Sequence, residues 1–162
     1  QQEIDGNPEL LAYLEEIRGI ACVKCGMAKD LEDATKNSPA FPMVAFITEA
    51  QDYYYPPENR TIKKEDVDLV SRLMFMQVLH KTYAGTATVC TGVAAKIKGT
   101  LVNQVLHNDN PPELVRIGHP AGMIPCYSEV DENNNVKKAA IVRTARRLME
   151  GYALLAKAKY PD

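Results

Sequence analysis

A run of small side chains between residues 86 and 97 constrains the fold more than any other part of the sequence. Alanine, threonine, cysteine and glycine fill most of its positions: Ala87, Thr88, Cys90, Thr91, Gly92, Ala94 and Ala95. Such a composition suits a helix that is packed on every side, where bulky groups would not fit. Gly99 is placed to end the helix. We therefore predict a buried central helix with other elements arranged around it.

Two kinds of segment flank the predicted central helix. Apolar residues at helical spacing predict helices over residues 8 to about 28 and over residues 65–77. Short apolar runs rich in β-formers predict strands at residues 43–48, 101–106, 114–117, 123–130, 136–143 and 147–156. Turn-forming residues predict loops at residues 36–39, 53–57, 107–112 and 131–135. The pattern indicates a single α+β domain over residues 1–162.

Composition and charge argue against several classes of protein. Hydrophobic residues at 46% and charged residues at 25% are typical of a globular chain. The net charge of −2 provides no basic surface for nucleic acid. No apolar run approaches the roughly 20 residues of a membrane span. The chain opens Gln1-Gln2-Glu3 without a signal region, so we expect a part of a longer cytoplasmic protein.

The four cysteines raise the question of disulfides or metal. Cys22 and Cys25 form a C-x-x-C pattern, which is read either as a redox pair or as half of a zinc site. The three histidines are too scattered to complete such a site. The helical pattern around the two cysteines favours two small helix residues, and we expect no metal site.

The stretch from residue 80 to residue 92 carries the first group of reactive side chains. An extended segment at residues 80–85 leads into the central helix, and we expect Cys90 in the first turn of that helix. The positive end of a helix dipole favours a thiolate. The free backbone N–H groups at the start of the helix, together with the hydroxyls of Thr88 and Thr91, could bind a carboxylate. This arrangement suits proton transfer next to a carboxylate. A small cysteine in a tightly packed helix is an equally good interpretation.

Two further stretches place polar side chains on a stiff corner and on a basic segment. The Gly118-His119-Pro120 corner lies between predicted strands, where a turn can hold an imidazole rigidly. A histidine hydrogen-bonded within its own turn is the alternative. Arg143 begins a segment with three arginines in five residues, whose guanidinium groups could bind a polycarboxylate. For any one arginine, a solvated charge paired with a nearby acid is the favoured interpretation.

Taken in order, these stretches resemble the PrpF family of isomerases. This family is also described as 3-methylitaconate isomerase-like or aconitate isomerase-like, and it has the diaminopimelate epimerase-type fold. The resemblance covers nearly the whole chain, through residues 14–18, 26–31, 79–84, 89–95, 99–103, 116–120 and 143–152. It implies a diaminopimelate epimerase-like domain in which β structure is wrapped around a central buried helix.

The resemblance is to the second half of the family only. Family members fold as two similar domains with the active site in the cleft between them. Residues 1–162 would therefore be a C-terminal domain whose N-terminal half is absent. The family chemistry is a proton shift that moves a C=C double bond in an unsaturated di- or tricarboxylate such as aconitate or 3-methylitaconate, with no metal and no organic cofactor. The isolated domain would be inactive.

The resemblance also implies roles for individual residues. Cys90 matches the cysteine at the start of the second central helix, and it is the expected catalytic residue, as an acid/base or as a wall of the cleft. Thr91 and Gly92 match residues whose amides seat a substrate carboxylate. Lys81 stands near the place of a Glu-Arg pair in related epimerases, which disfavours amino-acid epimerisation. The expected substrate-binding residues are Lys81, Thr88, Thr91, Gly92, His119 and Arg143.

A non-catalytic role is the alternative interpretation. A half-domain that exposes an apolar cleft wall would associate with other proteins, and such a chain could be an accessory protein to an aconitase-like dehydratase. We expect two partners, a small polycarboxylate and the missing N-terminal domain, with no nucleic acid and no membrane. A homo-oligomer is compatible with the sequence.

Overall fold

A mixed sheet forms the framework of the protein in the computed structural model, which describes residues 2–107, 111–143 and 145–154. Within these residues the strands are β1 (Val44–Glu49), β2 (Tyr53–Tyr55), β3 (Arg60–Ile62), β4 (Leu69–Phe75), β5 (Val78–Leu79), β6 (Leu114–His119), β7 (Gly122–Val130) and β8 (Val136–Ile141). The helices are α1 (Gln2–Asp5), α2 (Pro8–Lys24), α3 (Leu31–Asn37), α4 (Gly85–Lys96) and α5 (Leu101–Val105). The predicted α+β class is confirmed.

In the described part of the chain, six strands make one sheet in the order β1-β4-β6-β7-β8, with β5 paired to β4. β4 and β6 are parallel and the other neighbours are antiparallel. β2 and β3 form a separate hairpin, although residues 53–57 were predicted as a loop. β1 lies at a sheet edge and is only half-buried, not the buried strand that the sequence predicted.

Helix α4 lies on one face of the sheet and packs against β6, β7 and β8. Its packed face carries Ala87, Thr88, Thr91, Gly92 and Ala95, which are all buried. Thr86 and Cys90 point away from the sheet and are exposed. The prediction of a helix buried on every side is therefore wrong for the described residues. The small side chains allow one close helix-to-sheet contact and leave the opposite face open.

Residues 65–77 contain a strand where a helix was predicted. Val67, Leu69, Val70, Leu73 and Met74 fit helical spacing in the sequence, yet all five are buried in or beside β4. β4 has neighbours on both sides and is buried on both faces. Such a strand has no polar face, so its apolar residues need not alternate and can imitate a helical pattern.

Residues 101–106 show the opposite error, because α5 forms where a strand was predicted. The Thr100 hydroxyl accepts a hydrogen bond from the Asn103 N–H at 3.2 Å and caps the first turn. Helix α3 was not predicted, and it is capped in the same way by the Asp30 carboxylate, which accepts from the Asp33 N–H at 2.8 Å. In both short helices the cap, rather than an apolar period, marks the start.

The first predicted helix is confirmed as α2, and it ends earlier than predicted. Asn7 caps its start by accepting from the Leu10 N–H at 3.1 Å, and Gly26, with φ of +71°, follows its end. Cys22 is buried on α2, whereas Cys25 is exposed at its C-terminus, and both thiols are free. This arrangement agrees with two small helix residues.

The end of the described chain has no regular secondary structure between residues 145 and 154. A strand was predicted at residues 147–156, of which 155 and 156 lie outside the described residues. The predicted loop at residues 107–112 falls partly outside them too, at 108–110. Among the described helices, none combines the length and the apolar character needed to cross a membrane.

Candidate active-site cleft

Four chain segments meet at one end of the sheet. His119 ends β6 and pairs with Gly122 at the start of β7. Ile141 ends β8, and Arg143 follows two residues later. Gly85 begins α4, and both Ile141 and Arg143 lie beside it. The antiparallel register and the start of α4 thus bring together side chains that are far apart in the sequence.

An open cleft of about 660 Å³ lies where α4 faces the end of β8. Its wall is mostly apolar and carries one thiol and one guanidinium group. The residues that line it are Gly85, Thr86, Val89, Cys90, Ile141 and Arg143. Of the residues predicted from the sequence, Cys90 and Arg143 line this cleft. Sequence reasoning missed the other four lining residues, Gly85, Thr86, Val89 and Ile141. Three of them lie on the same helix as Cys90, and that position is their only signal in the sequence.

Cys90 is exposed. It lies in the second turn of α4, because the helix begins at Gly85, five residues earlier. The expectation of a first-turn cysteine is therefore wrong. The dipole acts mainly within the first turn. The N–H groups of Gly85 and Thr86 have no intrahelical acceptor, whereas the Thr88 N–H donates to the Ala84 carbonyl at 2.9 Å. The N–H groups at this helix that are available to an anion are therefore those of Gly85 and Thr86, which line the same cleft as Cys90.

Arg143 places its guanidinium group directly over Gly85. A Cβ atom at position 85 would lie 2.9 Å from Arg143 Nη2, so only glycine allows this approach without a shift. Within the described residues, Arg143 has no carboxylate partner. The sequence favoured a paired, solvated arginine; in the structure Arg143 is exposed, and among the described residues it lies at the start of α4 without a carboxylate partner.

Thr88, Thr91 and Gly92 point toward the sheet, on the face of α4 opposite Cys90. The Thr88 hydroxyl donates to the Ala84 carbonyl at 3.0 Å. The Thr91 hydroxyl lies 2.9 Å from the Tyr83 hydroxyl. Gly92 packs against Cys126. The three predicted binding residues therefore do not line the cleft, since a helical period of about 3.6 residues sets them on another face from Cys90.

His119 is buried at the end of β6. Its Nδ1 accepts a hydrogen bond from the Ala121 N–H at 3.2 Å, so the ring proton sits on Nε2. Burial, followed by the nearby charges of Arg72 and His80, lowers the pKa of His119 to about 4. The imidazole is therefore neutral at neutral pH, and it offers an N–H donor rather than a positive charge.

Lys81 and Tyr83 lie in the segment between β5 and α4. Lys81 is exposed and does not line the cleft. Tyr83 is buried, and its ring stacks on that of His119 with the centroids 6.2 Å apart. Apart from its place immediately before the central helix, Tyr83 has no feature in the sequence that singles it out.

Comparison with known proteins identifies the family. The sequence profile described as PrpF protein matches residues 1–156 of this chain. The chain belongs to the PrpF family. The resemblance inferred from the motifs is thereby confirmed.

Curated relatives of the chain carry isomerase names. The chain is 62% identical over 156 residues to the 3-methylitaconate isomerase of Eubacterium barkeri, covering 96% of this chain and 41% of the relative. It is 35% identical over 160 residues to the 2-methyl-aconitate isomerase of Shewanella oneidensis, covering 97% of this chain and 40% of the relative. The chain therefore spans about two fifths of the length of these relatives.

A solved structure shares the fold. The crystal structure of methylitaconate-delta-isomerase superimposes with a TM-score of 0.86 and 60% sequence identity, over 98% of this chain and 41% of that one. The fold of this chain, with α4 on its sheet, is thus shared with about two fifths of that structure.

Proposed function

We propose that this chain is the C-terminal domain of an isomerase that shifts a C=C double bond in an unsaturated di- or tricarboxylate. The observation that carries the proposal is the cleft in which the Cys90 thiol and the Arg143 guanidinium flank the first turn of α4. The names of the relatives support a substrate such as 3-methylitaconate or 2-methyl-aconitate.

The proposed reaction is a proton shift across three carbons. A base removes a proton from the carbon next to the double bond, and the negative charge spreads through the double bond onto a carboxylate. An acid then returns a proton to the far carbon, so the double bond moves and no electrons are gained or lost. Donors aimed at the developing charge lower the barrier. Arg143 and the N–H groups of Gly85 and Thr86 are suited to that task.

Cys90 is the proposed acid/base residue of this domain, or a wall of the cleft that orients the substrate. Its thiol is exposed in the cleft, whereas Cys22 and Cys126 are buried. Because the shift needs only a base, an acid and stabilisation of an anion, we propose that it requires neither metal nor organic cofactor.

The remaining part of the protein would close this open cleft. We propose a two-domain arrangement of the diaminopimelate epimerase type, in which the N-terminal half faces α4 and the isolated chain is inactive. Lys81 and His119 remain proposed contacts for substrate carboxylates, His119 through its Nε2–H. Thr88, Thr91 and Gly92 contribute by holding α4 on the sheet. A cytoplasmic location remains a prediction.

Proton exchange in heavy water tests the proposal on the full-length protein that contains this chain. We expect 3-methylitaconate or 2-methyl-aconitate to isomerise and to take up deuterium, as followed by proton NMR. Cys90→Ser is expected to lower the rate of exchange about a hundredfold or more if the thiol is the acid/base, and about tenfold if it only orients the substrate. Cys25→Ser, at the other exposed thiol, is the matched control and should leave it unchanged.

Two results would contradict the proposal. Exchange of neither acid by the wild-type full-length protein would favour the accessory, non-catalytic role. Exchange that is unaffected by Cys90→Ser would remove Cys90 from the site.

A further inference from the structure

Three buried hydroxyl groups connect the central strand to the central helix. The Tyr83 hydroxyl lies 2.9 Å from Ser71 Oγ on β4 and 2.9 Å from Thr91 Oγ1 on α4. All three side chains are buried. Buried hydroxyls that satisfy one another fix the groups that carry them, because a broken bond would leave a polar group without a partner.

The Tyr83 side chain is held at a second point. Its ring stacks on that of His119, with an interplanar angle of 27°, and Tyr83 directly precedes Ala84, the N-cap residue of α4. The start of the helix is thereby tied to the end of β6 as well as to the middle of β4.

The hydroxyl chain formed by Ser71, Tyr83 and Thr91 affects the position of a cleft residue. Thr91 follows Cys90 in α4, and successive residues of a helix are about 100° apart around its axis. A bond that holds Thr91 toward the sheet therefore sets the direction in which Cys90 points. We propose that Tyr83 is a positioning residue that fixes the rotation of α4 and so presents the Cys90 thiol to the cleft. The effect of this positioning on catalysis rests on the proposed function, but the orientation of Cys90 does not.

Thiol reactivity tests the orientation without any enzyme assay. Cys90 and Cys25 are exposed in this chain and Cys22 and Cys126 are buried. Because a cleft that admits a substrate also admits a small aromatic disulfide reagent, the reagent will label Cys90 and Cys25 fastest among these four thiols of the full-length protein. Peptide mapping by mass spectrometry gives the two rates separately. The ratio of the Cys90 rate to the Cys25 rate then reports on α4 alone, since Cys25 lies at the end of α2.

Three variants of the full-length protein isolate the hydroxyl chain. Tyr83→Phe removes one hydroxyl and keeps the ring, Thr91→Val removes the partner hydroxyl, and the double variant removes both. We expect each single variant to change the rate ratio at least about threefold, and the double variant to add little, because both break the same bond. Tyr54→Phe is the control, since the Tyr54 hydroxyl binds only Asn59 at an exposed site.

Unchanged rate ratios in Tyr83→Phe and Thr91→Val would overturn the proposal. Additive changes in the double variant would also overturn it, because the two hydroxyls would then act separately. If one single variant does not fold, the other decides the question alone. If the full-length protein exchanges substrate protons, we further expect Tyr83→Phe to lower kcat more than it raises KM. The reason is that the substitution changes the direction of Cys90 but leaves Arg143, the proposed substrate-binding residue, in place. If the full-length protein exchanges no substrate protons, the proposed function is refuted, whereas the labelling rates still report the orientation of Cys90.

Discussion

Gly92 of α4 and Cys126 of β7 are in direct contact, so that a Cβ atom at position 92 would lie 2.3 Å from Cys126 Sγ and 2.9 Å from Cys126 Cβ. The overpacking caused by Gly92→Ala is therefore expected to cost about 1–3 kcal/mol of the free energy of unfolding. The better helix propensity of alanine offsets about 1 kcal/mol of that cost. Because the contact with Cys126 Sγ is as short as 2.3 Å, we expect a net loss near the upper end of the remaining range, about 2 kcal/mol. Urea denaturation of the wild type and of Gly92→Ala measures this difference in the free energy of unfolding.

A second substitution checks the cause of that loss. Cys126→Ala removes the sulfur atom but keeps the Cβ contact, so Gly92→Ala should cost less in the Cys126→Ala background, without full recovery. Gly151→Ala is the control, because nothing lies within 4 Å of a Cβ at that position. Equal costs in both backgrounds would show that Cys126 is not the obstacle.

His119 is expected to make the protein less stable as the pH falls from about 6.5 to about 4. Burial is the main cause that lowers its pKa from 6.5 to about 4. Between these values the unfolded chain binds a proton that the folded chain does not, so the free energy of unfolding falls with pH. The whole effect amounts to about 3 kcal/mol.

Urea denaturation between pH 4 and pH 7 measures this dependence. His119→Asn keeps an acceptor near the Ala121 N–H and removes the titrating ring, so its free energy of unfolding should change less over the same range. A curve parallel to that of the wild type would assign the pH dependence to other groups.

Arg143 is expected to bind a substrate carboxylate in the cleft beside Gly85. Because hydrogen bonds to charged groups contribute about 1.5–3 kcal/mol, Arg143→Met should raise KM about ten- to hundredfold in the full-length protein. Steady-state kinetics with the acid that proves active gives the value. Arg147→Met is the matched control, since Arg147 pairs with Glu150 at an exposed site. Equal effects of the two variants would contradict a binding role for Arg143.

Thr100 is expected to stabilise α5 through its cap. Its hydroxyl donates to the Ala94 carbonyl at 2.6 Å and accepts from the Asn103 N–H at 3.2 Å. Thr100→Val should therefore lower the free energy of unfolding by about 1–2 kcal/mol. Thr48→Val, at an exposed threonine of β1, should cost much less in the same thermal or urea denaturation. A similar cost at both positions would argue against the cap.

The central helix and the last three strands of the sheet could be predicted from the sequence, because their signals are local. Small residues from Ala87 to Ala95 mark a helix that approaches another element closely, and the polar turn at residues 131–135 marks the hairpin between β7 and β8. The errors at β4 and α5 have a common physical origin. A strand buried on both faces lacks alternation, and a five-residue helix is too short to show a period, so tertiary contacts decide both.

The candidate site was predicted in part. Cys90 and Arg143 were found from motifs, and the structure places both in one cleft. The binding roles suggested for the side chains of Thr88 and Thr91 do not agree with their position, because both residues lie on the face of α4 that packs against the sheet, whereas Cys90 lies on the open face. The small-residue run begins at Thr86, one residue after the start of α4 at Gly85, but it does not show which face of the helix meets the sheet.

By itself, the sequence determined the family, the central helix and the residue types that the chemistry needs, since motifs and composition are properties of neighbouring residues. Only the tertiary structure decided which face of α4 meets the sheet, that Arg143 lies over Gly85, and that His119 is neutral. Each of these depends on atoms brought close by strand register and burial. The Tyr83 hydroxyl, 2.9 Å from Thr91 and from Ser71, shows the reason: its partners lie on different elements, and no local pattern connects them.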